Sequence, residues 1–338
     1  MTDKKRPHAI ALFSGGLDSA LAILMMLQQN IEVTALTFLT HFGCDIKDRS
    51  SCSADPYPVA EKFKFNVRLV HLGEQFIKIV QKPKYGYGRN MNPCVDCRIL
   101  MLKEAKEYMR LVGADFVITG EVLGQRPKSQ HRGMMRAVER DSGLEGFLLR
   151  PLCAKLLDPT IPEINGLVKR ELLGNFNGRS RKPQIALAEK FGLEDYPSPA
   201  AGCLLTDVSY SNRLRDLMRH TDRIDFNDLN LLRVGRHFRL DENTKIIIGR
   251  REHENDKILQ YAKPEHILLE ALDIGSPIGV YISTNGDGRL PEAAALTARY
   301  CDNKNDADVE ISVINEGDGR KFRVRPADME YYSQFQLK

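Results

Sequence analysis

Short apolar runs alternate with helix-length amphipathic stretches along the first 200 residues of the chain. The runs are short, bounded by turn residues and apolar on successive positions, which predicts strands buried on both faces. The strand candidates are 8–13, 32–38, 66–72, 116–119 and 147–152, and the helix candidates are 17–29, 56–65, 73–81 and 95–112. Alternation of this kind is typical of an α/β domain whose parallel sheet carries helices on both faces.

The pattern changes near residue 205. Residues 164–192 are expected to be helical, with a new helix starting at Lys182–Pro183, and a loop rich in proline and glycine follows at 195–203. Beyond it, the predicted elements are helices at 212–220 and 226–232, then short alternating runs at 245–250, 279–283 and 310–314. Asn-Gly-Asp-Gly and Glu-Gly-Asp-Gly turns suggest hairpins. The predicted domains are 1–204, and a smaller α+β domain at 205–338.

A candidate phosphate site lies between the first strand and the first helix. The segment reads Ser14-Gly15-Gly16-Leu17-Asp18-Ser19. Backbone N–H groups of the turn and the positive end of the helix converge there, and both serines add hydroxyl donors. The Walker pattern with its lysine is absent. An ordinary strand-to-helix turn is the alternative interpretation, and Asp18 is either a Mg²⁺ ligand or a helix-start aspartate.

Two further loops should lie at the same edge of the sheet. Parallel sheets bind ligands at the carboxyl ends of their strands, beside a topological switch point. Residues 37–45 follow the second strand, and residues 120–130 follow the fourth.

The cysteines form the second informative pattern. Cys94 and Cys97 follow Asn92-Pro93, so Asn92 is expected to cap a helix that starts at Pro93. A helix N-terminus lowers thiol pKa values, and both thiols should ionise readily. Together with Cys203 they could hold three irons of a [4Fe–4S] cluster and leave one iron open to exogenous sulfur. Alternatively, Cys203 carries a persulfide that Cys97 resolves. A zinc site completed by His or Asp, or a pair of buried thiols, is the structural alternative.

Four other cysteines are expected to be incidental or to lie in the core: Cys44, Cys52, Cys153 and Cys301. An odd total of seven favours reduced thiols over a disulfide framework. No apolar run approaches the roughly 18 residues that would span a membrane, and no secretory segment precedes the first strand, so we expect a cytoplasmic protein.

Net charge is only +4, but its distribution favours one half of the chain. Residues 1–200 hold 29 Lys and Arg against 22 Asp and Glu, whereas residues 201–338 hold 20 against 23. Two basic clusters suit a polyanion, although each would equally fit a solvated helix face. They are Arg126, Lys128, Arg132, Arg136 and Arg140, and Arg179, Arg181 and Lys182.

These motifs resemble a known family. The Ser14–Ser19 loop, the run from Gly88 to Cys97 and the series Thr119-Gly-Glu-Val-Leu-Gly-Gln125, Ser129-Gln130, Leu149-Arg-Pro-Leu152 are similar to the PP-loop domain of tRNA thiouridine synthetases, the ThiI and MnmA/TrmU group. The last series looks like the 4-thiouridine branch, and the Asn-Pro-Cys-x-x-Cys run with Ala-Gly-Cys203 looks like the 2-thiouridylase branch.

The second half resembles a different module. ThiI proteins carry an RNA-binding extension before the PP-loop, and MnmA proteins carry a β-barrel after it. Here Ile246-Ile-Ile-Gly-Arg-Arg-Glu-His-Glu-Asn-Asp256 looks like the signature of NFACT-R domains, a presumed RNA-binding module. It would serve in place of a tRNA-docking domain.

The resemblance implies ATP-dependent thiolation of a tRNA uridine, most simply to 4-thiouridine, with ATP, Mg²⁺ and a [4Fe–4S] cluster as cofactors. The sulfur donor would be free sulfide or a cysteine desulfurase. Cys94, Cys97, Cys203 and Asp18 would be catalytic, and the three cysteines would be the metal ligands. The nucleotide would contact Ser14, Gly15, Gly16, Leu17, Asp18, Ser19, Leu36, Phe38, Gly120, Gln125, Ser129 and Gln130. RNA contacts would come from Arg89, Arg126, Lys128 and Arg132, and pyrophosphate contacts from Arg150 and Lys155.

Other functions stay open at this point. They are a tRNA 2-thiouridylase, a PP-loop enzyme with a small-molecule acceptor, and a non-catalytic RNA-binding protein. The sequence also leaves open whether the protein forms a homodimer.

Overall fold

The computed structural model describes residues 6–42, 55–194, 196 and 203–338. Cys44, Cys52 and most of the predicted 195–203 loop lie outside the described residues. The chain divides into two compact units, Met1–Thr206 and Asp207–Lys338. No helix in the described ranges is long and apolar enough to cross a membrane.

The first unit contains a five-stranded sheet that is parallel throughout. Its strands run in the order β3-β2-β1-β4-β5. They are β1 (His8–Leu12), β2 (Glu32–Leu39), β3 (Asn66–His71), β4 (Phe116–Thr119) and β5 (Leu148–Leu149). β1, the central strand, is buried at every position, because helices cover the sheet. The predicted α/β class and its five strands are confirmed.

Seven helices belong to this unit among the residues described. They are α1 (Leu17–Leu27), α2 (Tyr57–Phe63), α3 (Gly73–Gln81), α4 (Cys94–Val112), α5 (Arg132–Ser142), α6 (Ile161–Ile164) and α7 (Lys182–Phe191). The prediction of helix across 164–192 is wrong for most of its length. Gly166, Gly174 and Gly178 interrupt that stretch, which contains one short 3₁₀ turn, Arg170–Leu172, before α7.

The topology brings two loops and the start of one helix to the same edge of the sheet. The chain builds β1, β2 and β3 outward on one side, then crosses to β4 on the other side of β1. The switch point therefore lies between β1 and β4, where such sheets bind ligands. α4 leads into the start of β4, so its own first residue, Cys94, lies towards the edge formed by the carboxyl ends of the strands. The loops after β1 and β4 and the start of α4 share this edge.

The second unit is an antiparallel sheet with helices. Its helices and strands in chain order are α8 (Val208–His220), α9 (Phe226–Leu231), β6 (Arg236–Arg239), β7 (Thr244–Ile248), α10 (Glu252–Tyr261), β8 (Ile267–Glu270), β9 (Gly279–Ser283), α11 (Leu290–Ala298), β10 (Val309–Val313), β11 (Lys321–Val324) and α12 (Met329–Tyr332). The strand order is β11-β10-β8-β9-β7-β6. The predicted smaller α+β domain is confirmed.

Two of its predicted turns have different outcomes. Glu316-Gly-Asp-Gly joins β10 to β11 in an antiparallel hairpin, as expected. Asn285-Gly-Asp-Gly instead leads from β9 into α11, because Pro291 and the alanine-rich run after it favour a helix. The polar strands β6 and β11 and the short β8 have no strong alternating pattern and were not predicted.

The triple isoleucine of β7 shows why this sheet is buried on both faces. Ile246 and Ile248 pack into one apolar cluster with α11, while Ile247 packs into another with Ile258 of α10. Successive strand side chains point to opposite faces, so an unbroken apolar run requires cover on both sides.

Candidate active site

The loop after β1 forms a small polar turn with internal hydrogen bonds. Ser19 Oγ donates to the carbonyl of Gly16 at 2.9 Å, and the Ser14 N–H reaches Ser19 Oγ at 3.4 Å. Ser14 is exposed, whereas Ser19 is buried. Gly16 caps α1, so the first N–H groups of the helix point into this turn. The geometry suits an anion bound at the start of α1.

Gly120 lets β4 approach this loop closely. A Cβ atom at position 120 would lie 2.5 Å from the carbonyl carbon and oxygen of Asp18 and from the nitrogen of Ser19. All three are backbone atoms that no side-chain rotation can move away. Only glycine fits here, and Gly120 therefore fixes the distance between the switch point and the phosphate loop.

One carboxylate oxygen of Asp18 accepts a hydrogen bond, and the other has no hydrogen-bond partner among the described residues. Gln125 Nε2 donates to Asp18 Oδ2 at 3.0 Å, whereas the buried Asp18 Oδ1 has no hydrogen-bond partner in the described structure. The buried Gln130 Oε1, in the same loop as Gln125, also lacks one. Unpaired buried oxygens are costly and are the ligands that Mg²⁺ prefers. This donor set fits the predicted Mg²⁺, with Asp18 as its ligand.

The remaining predicted nucleotide contacts are placed as follows. Leu36 is completely buried and its carbonyl accepts from the Phe13 N–H at 2.9 Å. Phe38 is buried in the same strand, and Ser129 is half-buried in the loop after β4. Their contact with adenine or base stays a prediction.

A short segment brings Cys203 to the other two cysteines. The Met91 N–H donates to the Leu205 carbonyl at 3.0 Å, and Asn90 Nδ2 donates to the Thr206 carbonyl at 2.6 Å. The Thr206 N–H donates to the carbonyl of Cys203 at 2.7 Å. One backbone hydrogen bond and one from the Asn90 side chain thus hold the 203–206 turn beside the segment that leads into α4. Sequence separation of more than 100 residues conceals this arrangement.

Cys97 and Cys203 do not ionise readily, because desolvation disfavours both thiolates. Burial, followed by the charges of Cys203 and Cys94, raises the pKa of Cys97 to about 12. Burial also raises the pKa of Cys203, and Cys94 adds to this shift. The prediction of readily ionised thiols is therefore wrong for Cys97. Desolvation of the thiolate outweighs the helix N-terminus.

The predicted cap of α4 is also wrong. The helix begins at Cys94, its N-cap is Pro93, and no side chain caps it. Asp96 instead organises the first turn, since its buried carboxylate accepts from the Lys84 and Tyr85 N–H groups at 2.9 and 3.0 Å. Negative charge at this position is favoured by the helix dipole.

The thiols supply the soft donors that iron or zinc prefers. In the described ranges, however, no group of three or more His, Cys, Asp or Glu side chains lies close enough to hold a metal ion. The residue types therefore match a cluster site, whereas the spacing in this structure is that of uncoordinated thiols.

Lys128 connects the nucleotide side of the site to the thiol side. Its Nζ donates to the carbonyls of Gly86 and Tyr87. A Cβ atom at Gly88 would lie 3.6 Å from Cys94 Sγ and 3.7 Å from the Lys128 stem. The loop that carries Gln125 is thus attached to the segment that carries Cys94. The 120–130 loop therefore contacts both Asp18, through Gln125, and the segment before Cys94, through Lys128.

A buried ion network supports the loop after β4 and was missed from sequence. Arg150, only 2% exposed, donates through Nε to Glu121 at 3.1 Å, through Nη1 to Glu139 and through Nη2 to the Met135 carbonyl. Arg98 lies 3.6 Å from Glu121 on its other side. Burial alone would raise the pKa of Glu121, but the two arginines outweigh it and the pKa is lowered.

This arrangement assigns Arg150 a structural function. Its three nitrogens all have partners within the chain, and Lys155, the other expected pyrophosphate contact, donates to the Glu171 carbonyl. Because the folded-state pKa of Glu121 is depressed, its pairing contributes stability at neutral pH. That contribution is lost as pH falls through the folded-state pKa.

We expect Arg150→Met to lower the free energy of unfolding by about 3 kcal/mol or more, since it leaves two carboxylates beside a buried gap. Arg136→Met is the matched control. Arg136 pairs with Asp158 on the surface, with side chains 70% and 81% exposed, and its loss should cost less than about 1 kcal/mol. Urea unfolding at pH 7 measures both. Equal costs for the two variants would contradict the network's role.

The four predicted RNA contacts have different surroundings in the structure. Arg89, Arg126 and Arg132 are exposed, and Arg132 lines a cavity of about 160 Å³ together with Arg136 and Arg150. Lys128 Nζ already donates to the carbonyls of Gly86 and Tyr87. Contact of these residues with RNA stays a prediction.

The fold and site define an α/β domain with a candidate phosphate loop at the switch point of its parallel sheet, followed by a separate antiparallel domain. Residues 5–157 match the family described as thiamine biosynthesis protein (ThiI), and residues 235–336 match the NFACT protein RNA binding domain. Over residues 5–157, less than half of the chain, the first unit is thus similar to the PP-loop tRNA thiouridine synthetases.

Several relatives share the first half of the chain. The tRNA-specific 2-thiouridylase MnmA of Pediococcus pentosaceus is 25% identical over 182 residues, which cover 51% of this chain and 48% of that protein. The bifunctional protein NifU/MnmA of Rubrobacter xylanophilus is 29% identical over 177 residues, covering 49% and 35%. This chain thus spans about half or less of the curated relatives it matches.

Among solved structures, a 4-thiouridine synthetase–RNA complex with bound ATP is 16% identical, with a TM-score of 0.35, over 55% of this chain and 52% of that one. A similarity this weak adds nothing to the family assignment.

Proposed function

We propose that this protein is an ATP-dependent tRNA sulfurtransferase of the cytoplasm that converts a uridine to 4-thiouridine through an adenylated intermediate. The attachment of the Gln125–Gln130 loop to both Asp18 and the Cys94 segment carries the proposal. It supports a single site in which ATP activation and sulfur transfer follow each other.

In the first step, ATP lies with its phosphates against residues 14–19 and the start of α1. Asp18 Oδ1 would bind the Mg²⁺ that accompanies the phosphates. The uridine leaves its stack to reach the site, and its O4 attacks the α-phosphorus. The bond to pyrophosphate breaks, and the base becomes attached to AMP through O4. The poor leaving oxygen is now part of a good leaving group.

In the second step, a sulfur nucleophile attacks C4 and the C4–O bond breaks, so that AMP leaves with the oxygen. The three thiols are the proposed place where this sulfur is held. A [4Fe–4S] cluster bound by Cys94, Cys97 and Cys203 would supply an open iron for exogenous sulfide. The raised pKa values of Cys97 and Cys203 are compatible with this proposal, because metal binding deprotonates a thiol outright.

The persulfide route needs only two of the thiols. The outer sulfur of a Cys203 persulfide would attack C4, and Cys97 would then attack the Cys203 sulfur. This releases thiouridine and leaves a Cys97–Cys203 disulfide, which a thiol reductant must reduce before the next turnover. Cys94 has no part in this chemistry.

Anaerobic purification followed by iron and sulfide analysis tests the sulfur source. We expect about four irons per chain, with thiolation of an unmodified tRNA transcript that depends on ATP, Mg²⁺ and sulfide. Mass spectrometry and the absorption spectrum of the nucleoside distinguish 4-thiouridine from 2-thiouridine. Iron-free protein that still thiolates tRNA would exclude the cluster, and a requirement for a cysteine desulfurase as donor of sulfane sulfur would then favour the persulfide.

The acceptor is tested with the same preparation. Pyrophosphate release that requires tRNA and falls steeply with salt supports a macromolecular acceptor, because phosphate contacts lose affinity as salt rises. Release with free uridine or another small molecule alone would favour a small-molecule PP-loop enzyme. No release with any tRNA would favour a non-catalytic RNA-binding protein.

A further inference from the structure

The NFACT-like signature of the second unit folds into a rigid corner. Asn255 Oδ1 accepts from the Ile278 N–H at 3.1 Å. A Cβ atom at Gly249 would lie only 2.0 Å from this same oxygen, so glycine is required for the approach. The carboxylate of Glu254 accepts from the Arg250 N–H at 2.8 Å. The glycine and the asparagine of the signature thus have structural functions, and together they fix where Arg250 lies.

Arg250 is placed beside a second, buried arginine. Arg213 of α8 is 7% exposed, its Nη1 donates to the Leu232 carbonyl at 3.0 Å, and its buried Nε has no partner. Burial first, and then the charge of Arg250, lowers the pKa of Arg213 to about 10. Exposed Arg250 forms the rim, where its Nη2 donates to the Gly235 carbonyl.

The groups beneath this pair are also basic. His237 is fully buried, and burial followed by Lys245, Arg213 and Arg250 depresses its pKa far below the usual value, so it is neutral. Lys245 is compensated by Asp216 at 2.9 Å. In contrast, neither Arg213 nor Arg250 takes part in an ion pair within the part of the chain that the structure describes.

The nearby acids already have other functions. Glu254 and Asp207 are the carboxylates that raise the pKa of Arg213. Glu254 binds the backbone N–H of Arg250, and Asp207 caps α8 by accepting from the Tyr210 N–H at 2.7 Å. Two adjacent guanidinium groups, one of them buried, therefore lack a direct counter-ion, which is an expensive arrangement for a protein to maintain.

We propose that the Arg213–Arg250 corner is a phosphate-binding site of the second unit and that its ligand is a phosphodiester of the RNA backbone. Guanidinium groups match phosphate oxygens in geometry as well as charge. A bound phosphate would supply the missing counter-ion. This inference rests on the proposed function in so far as it takes RNA as the ligand.

The charge balance of the second unit explains why RNA binding would need an individual phosphate site. Residues 201–338 hold 20 basic against 23 acidic residues, so the unit as a whole does not attract a polyanion. RNA binding by such a unit has to use individual phosphate contacts instead of a broad basic field. Arg251, exposed next to Arg250, adds to the positive potential at the rim.

The test is tRNA binding by the full chain as a function of salt. We expect Arg250→Gln to weaken binding about five- to tenfold and to reduce the slope of log affinity against log salt by about one. Arg250→Lys should keep the slope, because the charge is retained. Arg219→Gln is the control: Arg219 is exposed on the same helix as Arg213, and its loss should change neither quantity. An unchanged slope in Arg250→Gln would overturn the proposal.

An experiment with inorganic phosphate distinguishes an RNA phosphodiester from free phosphate as the ligand of this site. Phosphate should raise the thermal midpoint of wild type above that in chloride at equal ionic strength, and it should do so less in Arg250→Gln. If this holds while the tRNA slope of Arg250→Gln equals that of wild type, the site takes free phosphate and the RNA assignment is wrong. Arg213→Met serves as a second variant, with circular dichroism to verify that it folds.

The two proposals fail separately. Arg250-dependent tRNA binding without any thiolation would leave this site standing and reject the proposed reaction. If the protein thiolates tRNA but its affinity for tRNA does not depend on Arg250, the proposed reaction stands and the proposed phosphate site is rejected.

Discussion

The Gly120→Ala variant should lose pyrophosphate release by at least about a hundredfold while the protein still folds. A methyl group at this position meets the backbone of Asp18 and Ser19 at 2.5 Å, so the phosphate loop or the end of β4 must move. Overpacking of this kind costs roughly 1–3 kcal/mol of stability. Displacement of a reacting group by about 1 Å costs about 10²-fold in rate, which is the larger effect.

Gly133→Ala is the matched control for this change. Its added methyl group would lie 3.6 Å from the His131 ring, an ordinary contact, in the first turn of α5. It should release pyrophosphate at the wild-type rate. Circular dichroism and ATP affinity measured alongside separate a displaced loop from an unfolded protein. Gly120→Ala with a rate within threefold of wild type would show that this contact does not set the geometry of the site.

On the cluster route, alanine substitution of any one of the three cysteines should lower thiolation by about 10³-fold or more and leave tRNA-dependent pyrophosphate release largely intact. Removal of a nucleophile or of its carrier has effects of this size. The first half of the reaction uses residues 14–19 and Asp18, and none of the thiols takes part in it. Thiouridine and pyrophosphate are quantified in the same reaction mixture.

The pattern among the three variants identifies the sulfur carrier. If the cluster is correct, Cys94→Ala, Cys97→Ala and Cys203→Ala should each lose iron and thiolation together. If a persulfide is used, Cys94→Ala should remain active. Cys301→Ala is the control, because Cys301 is buried in the core of the second unit. Simultaneous loss of pyrophosphate release in all three variants would contradict the division of the reaction into two steps.

Patterns of local origin were predicted well from sequence. Four of the five strands of the first sheet agree with the structure within one residue at each end, because apolar runs and glycine turns are local signals. The fifth strand is much shorter than its apolar run, since only Leu148 and Leu149 pair with β4. The stretch before α7 was misjudged because its apolar residues pack as irregular segments between glycines.

The raised pKa of Cys97 could not be predicted from the sequence and required the structure. A helix N-terminus predicts ionised cysteines, but the pKa of Cys97 is raised to about 12. The charge of Cys203 contributes to this shift, and Cys203 comes from a distant part of the chain. In the same way, nothing in the sequence pairs Glu121 with Arg98 and Arg150, although Glu121 lies within the Thr119–Gln125 series that carries the resemblance.

By itself, the sequence determined the fold class, the phosphate loop and the residue types that could carry sulfur, because each follows from a contiguous motif. Only the tertiary structure decided which of these motifs lie next to one another. The parallel topology brings the loops after β1 and β4 and the start of α4 to one edge. The close approach at Gly120 and the Lys128 contacts then join them. Distances between segments more than 100 residues apart are set by packing, and packing has no local signal in the chain.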